Sequence, residues 1–134
     1  MQEDFRIMSE REIKISADGV IVTATLNHSE TAGRLWDALP ITGRAQKWGD
    51  EIYFSIPVSA DEESDSQETV EKGAVAYWPP GSALCLFWGP TPMSGPGEIR
   101  PASAVNVLGL IEGDATLLRT VAGGAEIVVE RSGG

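Results

Sequence analysis

A mainly β fold, built as a closed barrel or a sandwich, is what the 134-residue sequence predicts. Three observations carry the prediction. About eight short segments have strand character and follow one another in runs, which argues against a parallel sheet alternating with helices. Gly- and Pro-rich turns punctuate them at short intervals. A single amphipathic helix stands among the strands, as a plug for an open barrel end would.

The elements follow in order. Glu12-Ile13-Lys14-Ile15-Ser16 alternates apolar and polar residues, Ala17-Asp18-Gly19 is a turn, and the β-branched run Val20 to Leu26 is the hairpin partner. Ser29 is a helix N-cap with Glu30 in the first turn. Ala32, Leu35, Trp36 and Leu39 fall at i, i+3, i+4 and i+7, one apolar stripe on a helix from Glu30 to Leu39, which Pro40 stops. Ile41 to Trp48 reads as an extended segment and Gly49-Asp50 as a turn. Glu51 to Val58 alternates, with Ile52, Phe54 and Ile56 on one face and Glu51, Tyr53 and Ser55 on the other. Ser59 to Thr69 is an exposed acidic loop. Ala74 to Trp78 and Ala83 to Trp88 are short strands around the Pro79-Pro80-Gly81 turn, and Gly89-Pro90-Thr91-Pro92 is a second stiff turn. Met93 to Pro101 is a loop, Ser103 to Ile111 a strand, Ala115 to Thr120 one helical turn or two, and Ala125 to Val129 the last strand. Residues 1–11 and 131–134 read as loose ends of a single domain spanning 1–134.

Bulk properties narrow the function classes. A chain of this length forms one domain that buries roughly two thirds of its unfolded surface. Twenty acidic against ten basic residues give a net charge of −10. Such a surface repels phosphate backbones, so a nucleic-acid partner is not expected. No apolar run approaches the roughly 20 residues that cross a bilayer, and the first residues lack the basic-then-apolar pattern of a secretory signal, so no membrane partner is expected. The lone Cys85 forms no internal disulfide, which fits a cytoplasmic location.

Four blocks carry a resemblance. Leu39-Pro40-Ile41, Trp48 to Phe54, Gly73-Ala74-Val75-Ala76-Tyr77-Trp78-Pro79-Pro80-Gly81 and Leu86-Phe87-Trp88-Gly89-Pro90-Thr91-Pro92 together resemble the small prokaryotic cyclophilin-like family, over Ile13 to Val129 and in the family's order and spacing. The resemblance implies a closed antiparallel eight-stranded barrel with one or two helices over its ends. The family's activity is unsettled. Cyclophilins proper are peptidyl-prolyl isomerases that use an arginine, a glutamine, a histidine and an aromatic-lined proline pocket on the outer barrel face. This chain is shorter and lacks their signature segments, so the fold alone does not license the activity.

Prolyl isomerisation lowers a barrier of about 18–20 kcal/mol set by amide resonance. It requires a cationic donor near the proline nitrogen and an apolar pocket for the ring, with no metal or other cofactor. Arg44, Gln46 and Trp48 fall on one face at period two, which makes Arg44 and Gln46 the candidate catalytic pair. Trp48, Tyr53, Trp78, Phe87, Trp88 and Thr91 are the candidate ligand contacts, with Phe54 and Met93 as further pocket residues. The plainer reading makes Arg44 and Gln46 solvent-facing strand residues and the aromatics core. Glu51 and Tyr53 share a face and form either a ligand-orienting pair or an ordinary surface pair. His28, the only histidine, sits at the helix entrance, and Cys85 lies in an apolar strand as a buried, unreactive thiol. No carboxylate cluster has metal-ligand spacing with His or Cys.

Three readings follow. The first is a binding module whose outer groove near Arg44, Gln46, Trp78, Trp88 and Thr91 holds an extended peptide or a small polar ligand. The second is a divergent prolyl isomerase. The third is an interaction protein whose exposed aromatics join copies of the chain.

Overall fold

The structure, a computed structural model, describes residues 11–132. The expected first hairpin forms as β1 (Arg11–Ala17) and β2 (Val20–Leu26). Asp18 and Gly19 join them at φ of 53° and 80°, the left-handed pair that a two-residue hairpin turn needs. Helix α1 (Glu30–Ala38) follows, with the Ser29 side chain accepting from the Ala32 N–H and Leu39 as C-cap. Then come β3 (Ile41–Arg44), β4 (Gln46–Lys47), β5 (Glu51–Ser55), β6 (Ala74–Trp78), β7 (Ala83–Phe87), β8 (Asn106–Glu112) and β9 (Glu126–Arg131). Short 3-10 turns occupy Pro79–Gly81 and Ala115–Thr120. Of the expected loose ends, Arg11 and Arg131 are strand residues; positions 1–10, 133 and 134 lie outside the described residues.

All strand pairs are antiparallel, in the order β3-β9-β1-β2-β8-β6-β7-β5-β4. The two edge strands, β3 and β4, are separated in the chain by Ala45 alone. The Ala45 N–H donates to Ala125 O at 2.8 Å and its carbonyl accepts from Gly124 N–H at 2.7 Å. The sheet therefore nearly closes on itself through one bent segment, half of which pairs with β9 and half with β5. This bend accounts for nine strands among the described residues where eight were expected. β8 begins three residues later than expected, at Asn106, because Val105 pairs with Gln67 of the acidic loop instead. Among the described residues no helix is long and apolar enough to cross a membrane.

Two apolar layers result. The barrel interior takes the inward residues of every long strand, among them Ile13, Ile15, Val22, Ala24, Ile52, Phe54, Tyr77, Leu84, Leu86, Leu108, Ile127 and Val129. Ala32 and Leu35 of α1 join this core, with Trp36 and Leu39 packed against it, so the helical stripe closes the barrel as its spacing predicts. A second, outer layer contains Ala74, Ala76, Ala83, Cys85, Phe87 and Val105. Two loop segments cover it through the Gln67–Val105 and Val70–Ile99 bridges. Buried on both faces, β6 and β7 read as continuous apolar runs.

The acidic loop is not only a solvated connection. Glu63 accepts from the Thr31 N–H at 3.0 Å and from the Thr31 hydroxyl, a favourable place for a carboxylate at the start of α1. Asn106 holds the loop from the other side. Its Oδ1 accepts from Glu63 N–H at 2.8 Å, and its Nδ2 donates to Asp61 O at 2.9 Å and to Thr31 Oγ1 at 3.2 Å.

Candidate ligand-binding site

The outer layer leaves a gap above β5 and β7. Strand alternation sends Ile52 and Phe54 of β5 into the barrel and Glu51 and Tyr53 outward. The β5–β7 register sets Glu51 opposite Phe87 and Tyr53 opposite Cys85, so Cys85 stands diagonal to Glu51 on the same face. Trp78 arrives at the end of β6, opposite Ala83. Trp48 arrives from the turn before β5, where its N–H donates to Glu51 O at 3.0 Å. The segment after β7 folds over this face. Together these parts enclose a cavity of about 140 Å³ lined by Trp48, Glu51, Tyr53, Trp78, Cys85, Pro101, Ala102 and Val105.

The covering loop is fixed by its own polar groups. Asp50 N–H donates to Pro90 O at 2.9 Å and Trp88 N–H to Asp50 O at 3.0 Å, which docks the Gly89–Pro92 turn on the β4–β5 turn. Gly49 makes this approach possible: it sits at φ 63°, and a Cβ there would meet the Thr91 backbone and the Pro92 ring. Ser94 Oγ accepts from Thr91 N–H and Arg100 N–H, each at 2.9 Å, while the Thr91 hydroxyl donates to Arg100 O. Trp78 Nε1 donates to Ser103 Oγ at 2.7 Å, tying the indole to the loop.

Glu51 dominates the electrostatics. It is 4% exposed, and its Oε1 has no hydrogen-bond partner among the described residues. Burial pushes its carboxyl up to about 7, only partly opposed by the neighbouring Cys85 thiol. Burial, followed by the adjacent Glu51 carboxylate, pushes the Cys85 thiol well up. The thiol thus stays protonated and acts as a weak donor, not as a nucleophile. A carboxyl that titrates near neutrality in a mostly apolar cleft is available to accept a donor or to exchange a proton.

Trp48, Tyr53 and Trp78 are brought together on the cavity wall. Arg44 is exposed and its Nη1 donates to Gly124 O at 3.3 Å. Gln46 pairs with Tyr53 across β4 and β5 and shares its face, yet neither Arg44 nor Gln46 lines the cavity. Phe87 is fully buried in the outer layer behind it, and Phe54 and Trp88 belong to the barrel core. Thr91 is 6% exposed and spent on loop hydrogen bonds. Cys85 lines the cavity while Glu51 supplies its floor charge, a role its alternation with Tyr53 and diagonal pairing with Cys85 bring into view. Pro101, Ala102 and Val105 carried no sequence signal, since only the fold-back of the loop brings them there.

The two largest depressions among the described residues are less suited to a ligand. One of about 470 Å³ lies between α1 and residues 59–64, but the Glu63–Thr31–Asn106 network satisfies its polar floor. The other, about 410 Å³, runs along β2 and β8 past Leu110 and holds no buried, unpartnered polar side chain.

A family model described as Cyclophilin-like matches residues 11–130. Among solved structures, the hypothetical protein AF2241 from Archaeoglobus fulgidus superposes with a TM-score of 0.79 at 44% identity, covering 92% of this chain and 96% of that one. McbB, solved in complex with tryptophan, superposes with a TM-score of 0.71 over 91% of this chain and 45% of its own length. At 19% identity that second likeness is one of fold. No curated protein matches the chain.

Proposed function

Since this chain belongs to the cyclophilin-like family, and a shared barrel does not fix a chemistry, we propose from its own site that it is a small-ligand-binding barrel whose outer-face pocket takes a ring-sized apolar group bearing one hydrogen-bond donor. One observation carries the reading. A buried carboxyl with an unpartnered oxygen lies in the lining of a cavity walled by Trp48, Tyr53 and Trp78. An unsatisfied buried oxygen costs about 1–3 kcal/mol, and a ligand N–H or O–H would recover it. An apolar cavity of roughly 150 Å³ accepts a benzene ring, so the space suits one ring of a small molecule or a side chain of a peptide.

The isomerase reading has less support. It needs a donor beside the apolar pocket, whereas Arg44 is turned onto Gly124 O and stands outside the cavity. A protease-coupled assay on a proline-containing peptide is expected to give the uncatalysed rate.

The binding reading is tested by screening small ring compounds for thermal stabilisation. A ligand at 100 times its Kd adds about 2.7 kcal/mol. Ligands that stabilise the wild type should lose affinity on Trp48→Phe and Glu51→Gln. Stabilisation indifferent to both substitutions would place the site elsewhere and sink the proposal.

A further inference from the structure

We infer that the pocket selects organic cations, protonated amines small enough to enter it, with Glu51 as counter-ion and the surrounding rings as a cage. The inference rests on the binding reading above and adds the ligand's charge. The first argument is what is missing from the wall. None of the lining residues is Lys, Arg or His. Buried carboxylates are ordinarily paired, and among the described residues Glu51 has no positive partner there.

The nearest candidates in the chain are engaged elsewhere. Lys47 Nζ donates to Arg119 O at 2.9 Å and stands 5.9 Å from the centre of the Trp88 ring. Arg44 is bonded to Gly124 O. The pocket's remaining option is a proton on Glu51 or a cation brought from outside.

The second argument is the aromatic content. Three of the eight lining residues are Trp48, Tyr53 and Trp78, and rings of this kind attract a cation over their faces, Trp most strongly. Trp78 Nε1 is already committed to Ser103 Oγ, which leaves that indole to act on a ligand through its ring. The third is long-range. A net charge of −10 raises the local concentration of cations and repels anions.

The groups facing Glu51 simplify its titration. From β7 it meets the protonated Cys85 thiol, from its own strand Tyr53, and from β6 and residues 101–105 no ionisable side chain lines the cavity. A bound ammonium must therefore compete with a single proton. Below neutrality each bound cation releases one proton; above it the carboxylate is already free.

The experiment compares cyclohexylammonium, cyclohexanol and cyclohexanecarboxylate, three probes with one ring and different charge, by calorimetric titration of the full chain. At pH 8 the ammonium should bind at least about tenfold tighter than the alcohol, and the carboxylate more weakly than either. The ammonium's advantage should fall by up to about tenfold per pH unit below 7 while the alcohol's affinity barely moves. Titrations at pH 6 in two buffers of different ionisation heat should report close to one proton released. Glu51→Gln should remove the ammonium's advantage, while the alcohol still binds, more weakly than to the wild type. If that variant fails to fold, the wild-type pH profile and proton release decide the question alone. Alcohol binding equal to or tighter than ammonium at pH 8 overturns the cation inference and leaves the pocket reading standing. Absence of binding by all three at millimolar concentration overturns both.

Discussion

Glu51 makes a stability prediction that needs no ligand. Its carboxyl rises from 4.5 to about 7 on folding because burial disfavours the charged form. The folded state then holds the proton more tightly than the unfolded state between those values. The linked stability is fully present below about pH 4.5 and is lost as pH rises through 7. At about 1.36 kcal/mol per unit of pKa, the full swing is about 3 kcal/mol. Glu51→Gln replaces the carboxyl with a neutral isostere. Near pH 5 the variant should lie within about 1 kcal/mol of wild type, because Gln resembles the protonated acid. At pH 8.5 it should be more stable, by up to about 3 kcal/mol, equivalent to roughly 10 °C in Tm for a domain of this size. Urea unfolding of both proteins from pH 5 to 8.5 reads the difference directly. The other carboxylates titrate alike in the two chains, so they cancel. Parallel stability curves across that range would refute the assignment of Glu51 as a buried, unpaired acid.

Two further substitutions, with a third as control, test the packing of the barrel. Tyr77→Phe removes a hydroxyl that donates to Val58 O at 2.7 Å and accepts from Ala60 N–H at 3.2 Å. It should cost about 1–3 kcal/mol in denaturant unfolding with an unchanged m-value, and a loss too small to measure would contradict the pairing. Gly109→Ala puts a methyl group against the Thr25 carbonyl, where β8 meets β2. It should destabilise by more than about 2 kcal/mol. Gly123→Ala, with open space around its added carbon, should be neutral or stabilising by up to about 1 kcal/mol. Equal Tm values for the two alanine variants would rule out the close strand approach.

Much of the barrel was legible because its signals are local. Period-two alternation put Ile52, Phe54 and Ile56 on one face, which is the interior, and the same period divides Leu84, Leu86 and Trp88 of the core from Ala83, Cys85 and Phe87 of the outer layer. The Ala32–Leu35–Trp36–Leu39 stripe located the helix and its buried side. What alternation cannot say is whether the outward face meets water or a folded-back loop. That distinction decides the environment of Glu51, whose surroundings include Pro101 and Val105, about fifty residues further along the chain. The row formed by Arg44, Gln46 and Trp48 shows the same limit. The period is visible, but the bend at Ala45 separates Arg44, beside β9, from Trp48, beside β5.

The site and the second apolar layer are one construction. Phe87, Ala76 and Val105 shield the base of the cleft from water, and the Thr91–Ser94–Arg100 hydrogen bonds hold the cover over it. Without that cover Glu51 would be a solvated strand residue with an ordinary acid's affinity for protons, and the three rings would be exposed apolar surface. The loop turns an outward strand face, which in an antiparallel barrel normally faces solvent, into a cleft that buries one carboxyl beside three rings. Weakening the cover should therefore act on Glu51 at a distance. Ser94→Ala removes the hydroxyl that accepts from Thr91 and Arg100, and the carboxyl should move back toward 4.5, visible by carbon-detected NMR titration of the glutamate side chains. A Glu51 titration midpoint unchanged in that variant would mean that β5, β6 and β7 alone supply the burial.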